Sequence, residues 1–247
     1  MRVLVLQHLA VEHPGVFRDF MRRDGITWDT IELDAGDKIP DLERYDLMMV
    51  MGGPQDVWQE DQYPWLVAEK AAIRKFVVDM QRPYFGICLG HQLLASAIGG
   101  NVGLSAVPEV GIQTVERTFA GQSDAILSSL ADPMTVLQWH GAEVKSLPQG
   151  TTVLARSNGC AVQAFRYSDH AYGLQYHVEI TSATVADWAA IPEYKAALEK
   201  TLGANALSSL DAGVSDRLTG FNNDAEKIYN RLKAMIARHS AAAQAHS

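Results

Sequence analysis

The eight residues 85–92, FGICLGHQ, constrain the fold of this chain more than any other stretch. The apolar run before Cys88 predicts a buried strand, and the segment LGHQLLASAI after it predicts a helix. Cys88 therefore lies where a strand turns directly into a helix. Gly86 and Gly90 flank it two residues away on each side, where side chains would collide across so tight a turn. This spacing is typical of a nucleophile elbow.

The two cysteines differ in their predicted roles, because only Cys88 lies in such an elbow. It places the Cys88 sulfur at a helix N-terminus, where free N–H groups and the helix dipole favour a thiolate. A small buried core residue is the alternative for a lone cysteine, and the flanking glycines favour the nucleophile. Cys160 follows Asn158-Gly159 without such a pair, which predicts a structural role. No Cys/His cluster has zinc spacing, so we expect neither a structural metal nor a cofactor.

Strands and helices alternate through the first hundred residues. This rhythm predicts an α/β fold with a doubly wound, mostly parallel sheet and helices on both faces. The predicted strands are 2–6, 27–33, 46–51 and 83–87, and the predicted helices are 14–23, 64–80 and 89–98.

The pattern of predicted secondary structure changes after residue 100. Short β-like segments predict additional antiparallel strands at 111–118, 135–139, 151–156, 161–167 and 171–176, with one helix at 124–130. Helices follow at 185–189, 194–202 and 225–237. We expect residues 1–190 to form one domain and residues 191–247 to form a C-terminal helical extension packed on it.

Composition limits the classes of partner and the compartment that we expect for this protein. The net charge of −8 argues against nucleic acid or an anionic membrane surface as the main partner. The two cysteines suit a reducing compartment, so a cytoplasmic location is expected. No apolar run is long enough to cross a membrane, and the opening MRVLVLQHLA fits a first strand better than a signal peptide.

A cysteine nucleophile needs a base, and His177 is the best candidate. It follows an apolar strand, where side chains at the carboxyl edge of a parallel sheet reach the active-site crevice. Glu179 lies two residues on and points to the same side of an extended chain, so it can orient the imidazole. His140 is an alternative base, and His91 is expected to pack at a helix start. The other histidines are predicted to be surface or loop residues: His8, His13, His170, His239 and His246.

The motifs GICLGHQLLA (86–95) and GLQYHVE (173–179) together resemble the class I, triad-type glutamine amidotransferases. This family includes the glutaminase subunits of GMP synthase, and the chain resembles its stand-alone members. The resemblance covers roughly residues 1–185 and implies a flavodoxin-like, class I glutaminase architecture. It implies that Cys88 attacks the γ-amide of glutamine and forms a γ-glutamyl thioester, which releases ammonia and then glutamate. His177 would be the general acid/base and Glu179 its orienting group.

The resemblance extends to the parts around the triad. Backbone N–H groups of Gly53 and Leu89 would form the oxyanion hole. The substrate would be bound by the family's glycine loop, helix glutamine and His-Gly segment, here Gly52, Gln92, His140 and Gly141.

Two departures from the family pattern concern neighbouring loops. Val178 stands where the family usually has proline between the histidine and the glutamate, and Glu143 follows the His-Gly segment where relatives of GMP synthase tend to have aspartate. The chain also lacks a P-loop and a Ser-Gly-Gly-x-Asp-Ser loop, so it does not itself activate an ammonia acceptor.

Three functional hypotheses follow. The first is an amidotransferase-like hydrolase that releases ammonia from glutamine and whose potential partner is a separate synthetase subunit. The second is a stand-alone hydrolase of γ-glutamyl peptides or amides, which would use the same residues on a different leaving amine. The third is a binding or regulatory module without turnover.

Overall fold

One mixed sheet forms the centre of the protein in the computed structural model, which describes residues 1–245 and the side chains of residues 1–241. Its nine strands within this part of the chain are β1 (Arg2–Gln7), β2 (Thr27–Glu32), β3 (Leu47–Val50), β4 (Tyr84–Ile87), β5 (Asn101–Arg117), β6 (Met134–Ser146), β7 (Thr151–Arg156), β8 (Ala164–Tyr167) and β9 (Ala171–Leu174).

The strand order β2-β1-β3-β4-β9-β8-β7-β5-β6 divides the sheet into two parts. Neighbours from β2 to β9 run parallel, and neighbours from β9 to β6 run antiparallel. The predicted α/β class, with a doubly wound sheet and added antiparallel strands, is confirmed. The antiparallel part is larger than the sequence indicates, because β5 and β6 contain 17 and 13 residues.

Helices cover both faces of the sheet. They are α1 (Phe17–Arg23), α2 (Trp65–Arg74, continued by a π-helical turn at Lys75–Asp79), α3 (Leu89–Ala97), α4 (Phe119–Gln122), α5 (Thr184–Ala189), α6 (Pro192–Leu202) and α7 (Ala206–Ala245).

The alternation of side chains along β1 builds two cores. Val3 and Val5 face the cluster that includes α1 and the C-terminal half of α7, whereas Leu4 and Leu6 face the cluster that includes α2 and α3. All four side chains are fully buried. A third apolar cluster joins β5 and β6 to α5, α6 and the N-terminal half of α7. None of the helices in the described part of the chain has the length and apolarity that a membrane crossing needs.

The helix predicted at 124–130 is wrong. The chain there forms only a 3₁₀ turn at Leu127–Ser129. Asp124 Oδ1 accepts the backbone N–H groups of Ile126 at 2.8 Å and Leu127 at 3.2 Å, which stabilises a tight turn. Pro133 limits any continuation, since the residue before a proline disfavours the helical conformation.

The last helix is much longer than the predicted 225–237 and spans Ala206–Ala245. Gly213 and Gly220 lower helix propensity in its first half. Tertiary packing overrides them, because Leu210, Val214 and Phe221 continue the apolar stripe into the third cluster. Helices α6 and α7 thus share cores with the sheet, while the domain boundary at residue 190 stays a prediction. Residues 246–247 lie outside the described part of the chain.

Candidate active site

Cys88 forms the turn between β4 and α3. Its φ of 51° and ψ of −103° are a sparsely populated conformation that costs on the order of 1–3 kcal/mol. Both flanking glycines are required by close contact. A Cβ atom on Gly86 would lie 2.5 Å from the carbonyl of Gly90, and one on Gly90 would lie 2.1 Å from the carbonyl oxygen of Val50. The fold therefore holds the thiol in a strained turn at the N-terminus of α3.

A cavity of about 350 Å³ opens beside Cys88. This volume is in the range of small-molecule sites. Helix α6 forms one wall, and the hairpin of β5 and β6 contributes another. Five of the sequence-predicted residues line this cavity together with the thiol: Gly53, Leu89, Gln92, His140 and Gly141.

His177 and Glu179 form a buried pair just after β9. His177 Nδ1 lies 2.7 Å from Glu179 Oε1, and the two side chains are 1% and 4% exposed. The backbone N–H of His177 donates to the carbonyl of Leu137 at 2.9 Å, which ties the segment to β6. Burial alone would lower the pKa of His177. The charge of Glu179 and hydrogen bonding to Cys88 and Glu179 outweigh it, so the pKa lies well above its usual value.

Glu179 is held on three sides. Its Oε2 accepts the backbone N–H of Val178 at 2.9 Å, and its carbonyl oxygen accepts the N–H of Val16 at 2.9 Å. Gly15 packs directly on the same carbonyl, where a Cβ atom would lie 1.6 Å from the oxygen. The valine at position 178 thus supplies a hydrogen bond that a proline cannot make.

Besides His177, the sulfur of Cys88 has two polar neighbours. It is 3.9 Å from the carbonyl oxygen of Trp139, and Gln175 Nε2 lies 3.8 Å from it. Trp188 of α5 packs edge-on against the His177 ring, with centroids 4.4 Å apart. This packing restricts the orientation of the imidazole ring.

Gln92 and His140 are both fixed by hydrogen bonds. Gln92 Nε2 donates to Ala142 O and to Gln175 Oε1, each at 3.1 Å. His140 Nδ1 lies 2.9 Å from Ala142 O, and its Nε2 lies 3.0 Å from Glu109 Oε2. Both ring nitrogens of His140 are therefore occupied, which argues against its role as an alternative base.

The two residues predicted to form the oxyanion hole, Gly53 and Leu89, line the same cavity as Cys88. Gly53 contacts the side chain of Leu89, to which a Cβ atom would approach within 2.9 Å. Leu89 is the first residue of α3, so its N–H has no acceptor inside the helix. Gly52 is buried behind the cavity wall, and its carbonyl oxygen lies 2.8 Å from His8 Nδ1.

Four further residues of this region were not predicted as site residues: His8, Glu12, Gln175 and Tyr194.

For Gln175 a signal exists, because it precedes His177 by two residues and so points to the same side of the extended chain. His8 and His170 lie in loops, as predicted, but both are buried, at 0% and 5% exposure, so neither is a surface residue. His8 is buried because Glu69 and Gly52 satisfy its ring nitrogens, and His170 because its Nε2 bonds the carbonyl of Val77.

One cluster in the described part of the chain could hold a metal ion. Glu12, His177 and Glu179 each offer one donor atom, and these atoms lie within 4.8 Å of one another. Each of the three side chains already has a protein partner, because His177 Nδ1 bonds Glu179 Oε1 and Tyr194 donates to Glu12 Oε1. The arrangement suits a proton-transfer site.

Comparison with known families decides the affiliation of the chain. The model of the class-I glutamine amidotransferases matches residues 18–187. The chain belongs to this family. The matched region contains Cys88, His177 and Glu179.

Individual relatives place the chain within the amidotransferases. It is 33% identical over 189 residues to the glutamine amidotransferase-like protein YfeJ of Salmonella typhimurium, which covers 75% of this chain and 78% of that protein. It is 30% identical over 173 residues to Gamma-glutamyl peptidase 5 of Arabidopsis thaliana, with 67% and 66% covered. The match to a glutamine-hydrolyzing GMP synthase subunit of Sulfurisphaera tokodaii is 35% over 140 residues, with 56% and 70% covered.

Solved structures agree with the amidotransferase fold over nearly the whole chain. The crystal structure of a glutamine amidotransferase from Thermotoga maritima superposes with a TM-score of 0.84 at 28% identity, covering 96% of this chain and 98% of that one. A glutamine amido transferase from Methylobacillus flagellatus gives 0.82 at 29% identity, covering 95% and 94%. The C-terminal helices therefore have counterparts in relatives.

Proposed function

We propose that this protein hydrolyses the γ-amide of glutamine through a Cys88–His177–Glu179 triad and a γ-glutamyl thioester. The observation that carries the proposal is the strained Cys88 elbow facing a cavity, with the buried His177–Glu179 pair beside it. A cysteine beside a base that is itself hydrogen-bonded to an orienting carboxylate makes up the machinery of nucleophilic acyl transfer.

In the first half-reaction the Cys88 thiolate attacks the δ-carbon of glutamine. The carbonyl electrons move to the oxygen, which faces the N–H groups of Gly53 and Leu89. Removal of one such donor from an oxyanion hole typically costs about 10²–10³ in rate. His177, as imidazolium, donates its proton to the amide nitrogen. The C–N bond then breaks, ammonia leaves and the γ-glutamyl thioester remains.

In the second half-reaction neutral His177 takes a proton from water. The resulting hydroxide attacks the thioester carbonyl, and the same two N–H groups stabilise the oxyanion. The C–S bond breaks, glutamate leaves and the thiolate–imidazolium pair is restored. Glu179 holds its hydrogen bond to Nδ1 throughout and stabilises the charged imidazole.

The test is glutamate release from glutamine by the purified chain. Cys88→Ala should lower the rate by about 10³-fold or more, because no other group replaces the nucleophile. Cys160→Ala is the matched control, since burial raises the pKa of that thiol to about 12 and keeps it unreactive. Full activity of Cys88→Ala would contradict the proposal.

A second candidate function is hydrolysis of γ-glutamyl peptides or amides. The observation in its favour is the extent of the cavity, which reaches from Cys88 to Glu193, Ala197 and Lys200 of α6 and has a volume of about 350 Å³. A cavity of this size leaves room for a leaving amine larger than ammonia. A relative named as a gamma-glutamyl peptidase supports the same idea.

Competition between glutamine and a γ-glutamyl dipeptide distinguishes the two candidates. Faster dipeptide turnover indicates the peptidase, and Lys200→Ala should then raise KM for the dipeptide but not for glutamine, because its ammonium can pair with the dipeptide carboxylate. Turnover of glutamine alone indicates a glutaminase that delivers ammonia to a separate synthetase. If Cys88 neither turns over substrate nor reacts with a glutamine-analogue alkylator, the result would indicate a binding or regulatory module.

A further inference from the structure

A buried carboxylate lies next to the triad and takes no part in the chemistry proposed above. Glu12, in the loop after β1, is 2% exposed. One of its oxygens lies within 4.8 Å of donor atoms on both His177 and Glu179. Its Oε2 has no hydrogen-bond partner in the described structure and lies against Gly52, where a Cβ atom would be 2.4 Å from it. A buried carboxylate in this position interacts strongly with the charge on His177.

Helix α6 supplies the group that holds Glu12. The Tyr194 hydroxyl donates to Glu12 Oε1, and Tyr194 is itself 7% exposed. The indole N–H of Trp139 donates to the backbone carbonyl of Tyr194 at 3.2 Å, and the Tyr194 ring packs against Trp139 and Trp188. Trp188 in turn packs on His177. The carboxylate is therefore fixed by the same aromatic group that fixes the imidazole.

We propose that Glu12, held by Tyr194, is a positioning residue whose carboxylate stabilises the imidazolium of His177. The inference rests on the proposed hydrolysis, in which His177 must carry a charge before it protonates the leaving amine. Through Tyr194, helix α6 contributes to the reaction as well as to the cavity wall.

The electrostatic neighbours of Glu12 define what the carboxylate does. The titratable groups that face it are His8 just after β1, His177 and Glu179 after β9, and Tyr194 on α6. Burial, together with the charge on Glu179, raises the pKa of Glu12 above its usual value, although the charge on His177 and the Tyr194 hydrogen bond each lower it. Attraction to His177 is mutual, so the Glu12 carboxylate favours the imidazolium, as Glu179 does from the other side.

Glu12→Gln tests the charge with the shape retained, since the amide oxygen can still accept from Tyr194. We expect the alkaline limb of the kcat/KM profile, which reports loss of the His177 proton, to move to lower pH by about one unit. At pH values above the limb of both proteins, kcat/KM should be about tenfold lower than in the wild type, the factor that corresponds to one pKa unit of His177, with KM within about twofold. Tyr194→Phe should shift the limb in the same direction by a smaller amount, because the carboxylate loses its hydrogen bond.

Tyr229→Phe is the matched control. Tyr229 is also buried and donates to Asp24 and to the carbonyl of Phe20, far from the cavity. It should lose stability without any change in the pH profile. If Glu12→Gln does not fold, Tyr194→Phe carries the test. The inference is overturned if the alkaline limb does not move in the variants that fold. It is also overturned if only KM rises, because Tyr194 would then act only by lining the cavity.

A substrate-free measurement separates this inference from the proposed function. The pH dependence of Cys88 alkylation by iodoacetamide contains a step when His177 loses its proton, with Cys88→Ala as background. We expect that step to move to lower pH in Glu12→Gln. If the wild type hydrolyses neither glutamine nor a γ-glutamyl dipeptide, the proposed function fails, while the shift of this step still supports the role of Glu12 and an unmoved step still overturns it.

Discussion

At Val178 a backbone hydrogen bond, rather than a proline ring, stabilises the segment between His177 and Glu179. A proline between His177 and Glu179, as the family resemblance suggests, would restrict the backbone. Here the backbone N–H of Val178 donates to Glu179 Oε2 at 2.9 Å, while Oε1 holds the imidazole at 2.7 Å. Both oxygens of the orienting carboxylate are thereby fixed without a restricted φ.

This arrangement predicts the effect of Val178→Pro. Loss of a hydrogen bond to a charged group costs about 1.5–3 kcal/mol, and part of that cost should appear as freedom of the Glu179 carboxylate. We expect kcat/KM to fall severalfold, mainly through kcat. Val178→Ala keeps the N–H and should remain near the wild-type value. Equal activity of the two variants in steady-state assays would show that this bond does not orient the carboxylate.

His91 makes a second prediction at the residue scale. It is fully buried against Phe165, and burial lowers its pKa from 6.5 to about 3. The unfolded chain therefore binds the proton first as the pH falls. The stability present above pH 6.5 is progressively lost toward the folded-state pKa.

The variant His91→Leu isolates this contribution. The measured quantity is the free energy of unfolding of the wild type minus that of the variant. As the pH is lowered from 6 to 4, this difference should fall by about 1.4 kcal/mol per pH unit. Urea titrations at several pH values measure it. A difference that does not change with pH would mean that the imidazole is protonated inside the fold.

At the scale of elements, the close approach of α3 to β3 makes the elbow possible. Gly90 lies so near Val50 that a Cβ atom would be 2.1 Å from its carbonyl oxygen, and neither backbone can move without displacing a central strand. The N–H of Gly90 also donates to the carbonyl of Met51 at 3.1 Å. The first turn of α3 is thus hydrogen-bonded directly to the residue that follows β3.

A pair of glycine variants tests this account. Gly90→Ala should destabilise the protein by about 3 kcal/mol or more, because the new methyl group meets backbone. Gly220→Ala, in α7, has nothing within 4 Å of the new methyl and a helical backbone, so it should stabilise by about 0.5–1 kcal/mol. Chemical denaturation of both variants gives the comparison. A similar effect of the two substitutions would contradict the contact.

At the scale of the whole molecule, α7 connects two of the three cores. Phe221 packs in the cluster with β5, β6, α5 and α6, while Ile228 and Leu232 pack in the cluster over the parallel strands. Helix α6 reaches from the same region to the cavity beside Cys88. The C-terminal helices therefore join the hairpin of β5 and β6 to the parallel part of the sheet.

This connection predicts one cooperative unfolding unit. Ile228→Ala should destabilise by about 2–5 kcal/mol and leave kcat unchanged below the transition, because the side chain is fully buried and remote from the cavity. Calorimetry should show a single transition for the wild type and the variant. Two separate transitions would instead support an independently folding extension.

Much of this architecture could be predicted from local pattern. The alternation of β1 specifies which side chains face each core, and the glycines around Cys88 specify the elbow. The extents of β5, β6 and α7 could not be predicted, because their ends are set by partners distant in sequence. Gly213 and Gly220 weaken helix propensity locally, and only the packing around them keeps α7 continuous.

Interactions between neighbouring residues specify two parts of the site, the strand–turn–helix at Cys88 and the same-side placement of His177 and Glu179, and both could be predicted from sequence. The meeting of Glu12 from the first loop with Tyr194 from α6, at a sequence separation of 182 residues, depends on the folding of the whole chain. Buried polar groups take hydrogen-bond partners wherever the fold brings them together, so no local pattern records a partner that distant.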